Sequence, residues 1–361
     1  MTAGEATGPM DAAPAGRGRG AVQSLLLTTV APVVAALVVS GGILLLGGVD
    51  PLAYYAFVVR RGLLSWLGLE ATLTRMAPLL FLAAGLIVAF RAGIWNLGVD
   101  GQFILGAVFV GAAAPVLAGS LPGPVMLALC FVLAAAAGAV WSLVPALLRA
   151  YRGVNEIITT LMMSFLGVSL ANVLVKLLFL DPGTTVPQTR TLPVDDRLPR
   201  LFETTISSGL LLGLVAILVV HLMMTRTAFG LRLRVVGANP RAAIHAGLPV
   251  PLLTVAVFAI SGGLAGLAGA VEILGVQGNV RADWNPAYGL LVIPLVFLAR
   301  LHGGASIAFV FLFSVLSIGG ESAARRMGVP HFFTLVVVAI TLIALALAEW
   351  LDHRRRVATK A

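Results

Sequence analysis

Apolar stretches of about twenty residues recur along this chain with only short polar breaks between them, and that pattern fixes the solvent it folds in. A helix needs about 20 mostly apolar residues to cross a hydrocarbon core roughly 30 Å thick. One such stretch runs from Leu25 to Leu46. Nine more begin near Leu73, Leu97, Pro122, Ile157, Ile206, Leu252, Pro286, Ala305 and His331. Of the 361 residues, 59% are hydrophobic and 11% are charged, against about a quarter charged in a soluble domain. Too little polar surface is left to cover a globule in water. The expected fold class is therefore an all-α polytopic membrane protein with about ten transmembrane helices. The eighth and ninth stretches are short and the break between them, Arg300 to Gly304, is weak, which leaves nine open.

Around this membrane domain (24–351) the sequence predicts a disordered N-terminus (1–23) rich in Ala, Gly, Pro and Thr, and a basic tail (352–361). The first stretch is too long for the apolar core of a signal peptide, and it reads as an uncleaved span. With ten spans and the N-terminus inside, fourteen Arg and Lys fall in inner segments and eight in outer loops, the sense of the positive-inside rule. Both termini are then cytoplasmic, as in a bacterial inner membrane. Arg75 and Lys176 fall near outer ends of spans, from which long side chains can snorkel to the interface. The outer loop 181–205, with four prolines and both signs of charge, either docks a soluble partner or is a solvated connector.

Several chemistries are excluded. The only lysines are Lys176 and Lys360, so no Gly-rich loop carries the lysine that reaches nucleotide phosphates. Cys130 is alone, which rules out a disulfide framework, and the five histidines have no metal-ligand spacing. The acids read as lying almost wholly in loops, which leaves no catalytic set and no mid-span carboxylate for ion coupling. His221, near the inner end of the sixth span, reads as interfacial. No metal, no resident cofactor and no enzyme activity of the chain by itself are expected, and nucleic acid is not an expected partner. Any driving energy comes from another subunit.

Three polar islands interrupt the apolar pattern. The first, Phe90 to Gln102, contains Trp95, Asn96, Asp100 and Gln102 among three glycines. Buried polar side chains need partners, so these either staple an unwound segment or face a translocation path. Trp95 could stack on a base or anchor at the interface. In the second island, Asn155 and Glu156 suit a helix N-cap and a first-turn acid. The third is the longest inner loop, 225–250. There Asn239 and Pro240 predict a cap and first turn, opening a short helix from Arg241 to about Ala246. That helix suits a groove on a motor subunit, or the loop merely sets topology.

These islands, in this order, resemble the permeases of ABC importers of the branched-chain amino-acid and simple-sugar type. The nearest likeness is to the nucleoside branch that works with basic-membrane-type lipoproteins. Asn96-Leu97-Gly98-Val99-Asp100-Gly101-Gln102 is similar to that branch's Asn-(Ile/Leu)-Gly-x-Glu-Gly-Gln, with Asp100 in place of Glu. Gly153-x-Asn155-Glu156-Ile157-Ile158-x-Thr160 resembles a second family stretch. Thr227, Gly230, Arg232, Arg234, Gly237, Asn239, Pro240, Arg241 and Ala243 lie in a segment that resembles the family's ATPase-coupling loop. The stretch Val296 to Gly304, with Pro294 upstream, departs from the family's pattern before the ninth span.

The resemblance implies a permease importing a nucleoside or related small polar solute, with Mg-ATP bound by partner ATP-binding subunits. It also implies a second permease, the same or a paralogue, a substrate-binding lipoprotein, and two inverted blocks mapping to spans two to five and seven to ten. A simple sugar or branched-chain amino acid is the alternative cargo, and an ion-coupled carrier or a membrane scaffold the alternative class. Independently, the small residues Ser261, Ala265 and Gly269, and Gly262, Gly266 and Ala270, predict close helix packing in span seven, inside the bundle or at a dimer face.

Overall fold

The computed structural model describes residues 31–330 and 333–358, and the expected disordered terminus (1–23) lies outside them. Among the described residues there is no strand, only two isolated bridges. The chain divides into two compact units, 1–54 with 329–361 and 55–328. In the first, α1 (Ala31–Leu46) packs on α13 (Phe333–Ala358). Tyr54 meets Phe333 edge to face at 5.6 Å.

The second unit carries the site. Segment 51–64, between the first and second expected spans, is helical: α2 (Pro51–Val59) runs on into a π turn, Arg60–Leu64. Then come α3 (Trp66–Arg91), α4 (Val99–Ala118), α5 (Gly123–Arg152), α6 (Glu156–Val173) and α7 (Gly209–Arg226). Two short helices follow, α8 (Ala228–Ala238) and α9 (Pro240–His245). They lead to α10 (Val250–Glu272), α11 (Tyr288–Leu298) and α12 (Gly303–Met327).

Three of these helices make the core. α3 is buried all round from Met76 to Phe90, as a helix that is apolar on every face must be. α10 packs against α3, α4 and α5, and its small residues are why it can. A β-carbon on Gly262 would stand 2.5 Å from Gly138 O of α5, and one on Gly106 of α4 only 2.6 Å from Gly266 Cα. Backbone-to-backbone packing of this kind replaces the hydrophobic drive that lipid removes. The small-residue faces of span seven therefore serve the interior of the bundle. The outer helices α6 and α7 leave Ile158, Met162, Phe165, Val215, Leu218 and Val219 exposed, a surface suited to lipid.

Seven helices among the described residues are long and apolar enough to cross a membrane, or eight if α1 and the 51–64 helix form one broken span. The eighth expected span is α11, whose 11 residues reach about 16 Å, half of what a crossing requires. The weak break after it is a real one. Arg300 and Leu301 take φ of 50° and 57°, and His302 caps α12 by accepting from Ala305 N.

The connector 181–205 is folded down on the bundle end instead of being solvated throughout. Thr189 N donates to Val280 O at 3.0 Å, Leu192 N to Gly278 O at 2.8 Å and Leu198 N to Leu274 O at 2.9 Å. Glu70, at the start of α3, accepts from Thr205 N at 3.2 Å and from its hydroxyl.

Candidate functional site

The first island forms the turn between α3 and α4, and its polar groups satisfy one another. Asn96 Nδ2 donates to Gln102 Oε1 at 3.0 Å and to Ser261 Oγ of α10 at 2.9 Å. Its Oδ1 accepts from Gln102 Nε2 and Gly98 N. Asn96 is fully buried, where unpaired amide groups would cost about 1–3 kcal/mol each. Asp100 reaches elsewhere: its carboxylate accepts from Gly289 N at 2.7 Å, capping the first turn of α11 from another helix, where a negative charge is favourable. Trp95 is 40% exposed. It packs on Phe90 at 5.2 Å and on Phe297, near the far end of α11, at 5.4 Å. One island thus holds both ends of a helix too short to span.

Asn155 caps α6 as its sequence predicts, accepting from Ile157 N at 2.9 Å. Glu156 pairs with Arg149 at 3.2 Å. In the third island Thr227 caps α8 through Gly230 N, and Asn239 caps α9 through Ala242 N at 3.1 Å. The expected short helix is α9, one residue earlier than read. α8 was not anticipated. It carries Arg232 and Arg234, and its Gly237 lies against the turn after α3, where Gly93 takes φ of +71°. Arg91 Nε donates to Leu301 O at 3.1 Å, which joins the same turn to the break before α12. Sequence-distant breaks therefore meet at one end of the bundle, and His221 with them: its ring lies 4.5 Å from that of His302.

At the other end lies a feature the sequence reading missed. The acids are not confined to loops: Glu70, Asp100, Glu156, Glu272 and Glu321 all sit in helices. Arg75 does not snorkel outward but turns to α12, pairing with Glu321 at 3.2 Å and approaching Ser317 Oγ at 3.4 Å. Its guanidinium stands 5.7 Å from the centre of the Tyr288 ring. Lys176 pairs with Asp283 at 3.0 Å. Glu272, 3% exposed at the end of α10, accepts from Gln277 Nε2 at 3.1 Å. Thr74, Arg75, Glu272, Gln277 and Tyr288 line a cavity of about 280 Å³. A second cleft of about 480 Å³ shares Thr74, Thr205 and Val276 with it and reaches Asp195, Arg197 and Arg200 in the connector. Intramembrane ionisable residues are rare and mark solute or ion routes by default. That signal was present at Glu272, one apolar run before the polar stretch 277–285.

A bundle of apolar helices with a polar cleft at one end and capped surface helices at the other is a solute-moving membrane subunit. The chain belongs to the family described as branched-chain amino acid transport system, permease component, whose profile matches residues 68–345. It is a multi-pass membrane protein and a permease subunit of an ABC importer. It is 33% identical to a glucose ABC transporter permease protein of Haloferax volcanii over 91% of this chain and 89% of the relative. To a guanosine ABC transporter permease protein of Bacillus subtilis it is 30% identical over 76% and 80%. To a nucleoside ABC transporter permease protein of Lactococcus lactis it is 26% identical over 85% and 86%.

Proposed function

We propose that this permease imports a nucleoside or a closely related neutral, hydroxyl-bearing ring compound, with ATP hydrolysed by separate subunits. The observation that carries this is the cleft between α3, α10 and α11. It joins an aromatic ring, a guanidinium, a carboxylate, an amide and a hydroxyl around the volume of one small solute. A simple sugar is the second reading, favoured by the glucose permease relative at 33% identity over 91% of the chain.

In this reading, helices α8 and α9 seat in a groove on the ATP-binding subunits, at a cytoplasmic face that also holds both termini. Loop 181–205 meets a solute-binding lipoprotein on the opposite side, and a second permease completes the pathway between two inverted blocks of helices. Motor closure moves α8, and the turn against Gly237 passes that motion through Trp95 and Asp100 to α11 and so to Tyr288. Asp100 then acts on the path by holding α11, Asn96 and Gln102 by fixing the turn to α10, while Trp95 is accessible to a passing solute. Gating of this kind is a rigid-body switch between two packings.

The burial of Glu272 removes one argument against an ion-coupled carrier, so the energy source is the first thing to measure. In proteoliposomes holding the permeases, ATP-binding subunits and binding protein, labelled guanosine and glucose are offered separately, with excess unlabelled competitor. Uptake that requires enclosed ATP and is indifferent to proton and sodium gradients supports the proposal. Uptake driven by an ion gradient without ATP would overturn it.

A further inference from the structure

We propose that Thr74, Glu272, Gln277 and Arg75 form a solute-binding site within this chain, which takes neutral rings with adjacent hydroxyl groups and rejects their phosphorylated forms. The inference rests on the importer reading above and adds the residues and the charge rule. Four observations point to a ligand. Thr74 Oγ1 is buried on the cavity wall and has no hydrogen-bond partner among the described residues. Such a group is destabilising unless something completes it. Glu272 is buried with one carboxylate oxygen held by Gln277, and its other oxygen has no hydrogen bond from the described residues. A carboxylate has two oxygens to accept from two neighbouring hydroxyls. Arg75 is fixed on one side by Glu321 and Ser317, and its five donors exceed those two partners. The cavity also borders the larger cleft, with Thr74, Thr205 and Val276 on the wall of both, which puts a route of entry beside it.

The charges decide the class. Arg75 and Glu272 are the charged groups on the cavity wall, and the charge of Arg75 is already matched by Glu321. Arg197 and Arg200 lie in the larger cleft, so on the wall of the smaller cavity an anion meets Glu272 with no cation beyond the paired Arg75 to offset it. A like charge a few ångströms away in a protein interior lowers affinity roughly a hundredfold. A neutral polyol meets no such penalty.

The test uses the assembled importer and one new thiol. Val276, 39% exposed, lines both clefts, and the native Cys130 is fully buried. In a Val276→Cys background, maleimide labelling in the membrane therefore reports on the cleft. Guanosine and glucose are the neutral probes and guanosine monophosphate the charged one. Saturating amounts of the neutral solute that the complex takes up should slow labelling, and the monophosphate should not. Adding Thr74→Val should raise the half-protecting concentration about fivefold, the weight of one hydrogen bond. It should also hold or raise the unfolding midpoint in detergent, because an unsatisfied hydroxyl has gone. A purely structural Thr74 would move stability and leave protection alone. Adding Glu272→Gln should let the monophosphate protect. A complex that takes up guanosine or glucose, yet whose thiol is indifferent to that solute and to Thr74→Val, would overturn the site. A complex that takes up neither would instead overturn the solute class on which the site rests.

Discussion

Gly237 is where the transmission proposal is most exposed to experiment. A β-carbon there would lie 2.5 Å from Arg91 O, 2.9 Å from Ala92 C and 3.0 Å from Gly93 N. Ordinary contacts between such atoms sit at about 3.5 Å, so Gly237→Ala has to displace α8 from the turn by about 1 Å. The turn cannot simply yield. Gly93 already holds φ of +71°, and Arg91 ties the turn to Leu301 at 3.1 Å. Overpacking of this size costs about 1–3 kcal/mol. If that contact carries the signal, the same free energy corresponds to about a 5- to 150-fold loss of coupling. The assay is solute-stimulated ATPase over basal ATPase in the reconstituted importer, with uptake measured in parallel. Gly237→Ala should lower the stimulation at least fivefold while the permease still inserts and assembles. Gly123→Ala is the control, because a β-carbon there meets nothing within 4 Å. Wild-type stimulation and uptake in Gly237→Ala would refute the transmission through this turn.

Three further outcomes are expected. Asp100→Ala leaves Gly289 N unpaired in the buried first turn of α11 and should destabilise the fold by about 1–3 kcal/mol. Asp100→Asn, which keeps an acceptor, should lose less, and thermal unfolding in detergent compares the two. Gly138→Val drives a branched side chain into the Gly262 backbone of α10 and should cost about 3 kcal/mol or more, seen as loss of folded protein on membrane extraction. Arg149→Gln removes the partner of Glu156, whose side chain is only 10% exposed, and should destabilise the fold by about 1–3 kcal/mol; no measurable loss would mean that water reaches the carboxylate.

The caps at Asn155 and Asn239 were legible because each joins a side chain to a backbone N–H two or three residues on. The chemistry of such a bond lies within one turn of sequence. The packing role of Gly262 and Gly266 was legible in the same way, since a helix puts residues four apart on one face. The polar cleft was not. Arg75 and Glu321 are 246 residues apart, and Glu272 and Tyr288 come from two further elements. No local spacing announces that three helices will turn ionisable groups toward one cavity and that a fourth will pair one of them. Reading Arg75 as a snorkelling cation was sound for a lone helix, and it was undone by a partner on α12.

The sequence by itself thus determined the solvent, the helical class and the family. The first two depend on composition and on runs of about twenty residues, and the family on the resemblance of three short polar islands; all survive any arrangement of the helices. Tertiary structure decided which polar groups were consumed and which left open. Asn96 and Gln102 spend their hydrogen bonds on each other and on Ser261, whereas Thr74 and Glu272 keep capacity to spare. The physical reason is that a buried polar group has meaning only through its partner, and in this bundle most partners lie on another helix.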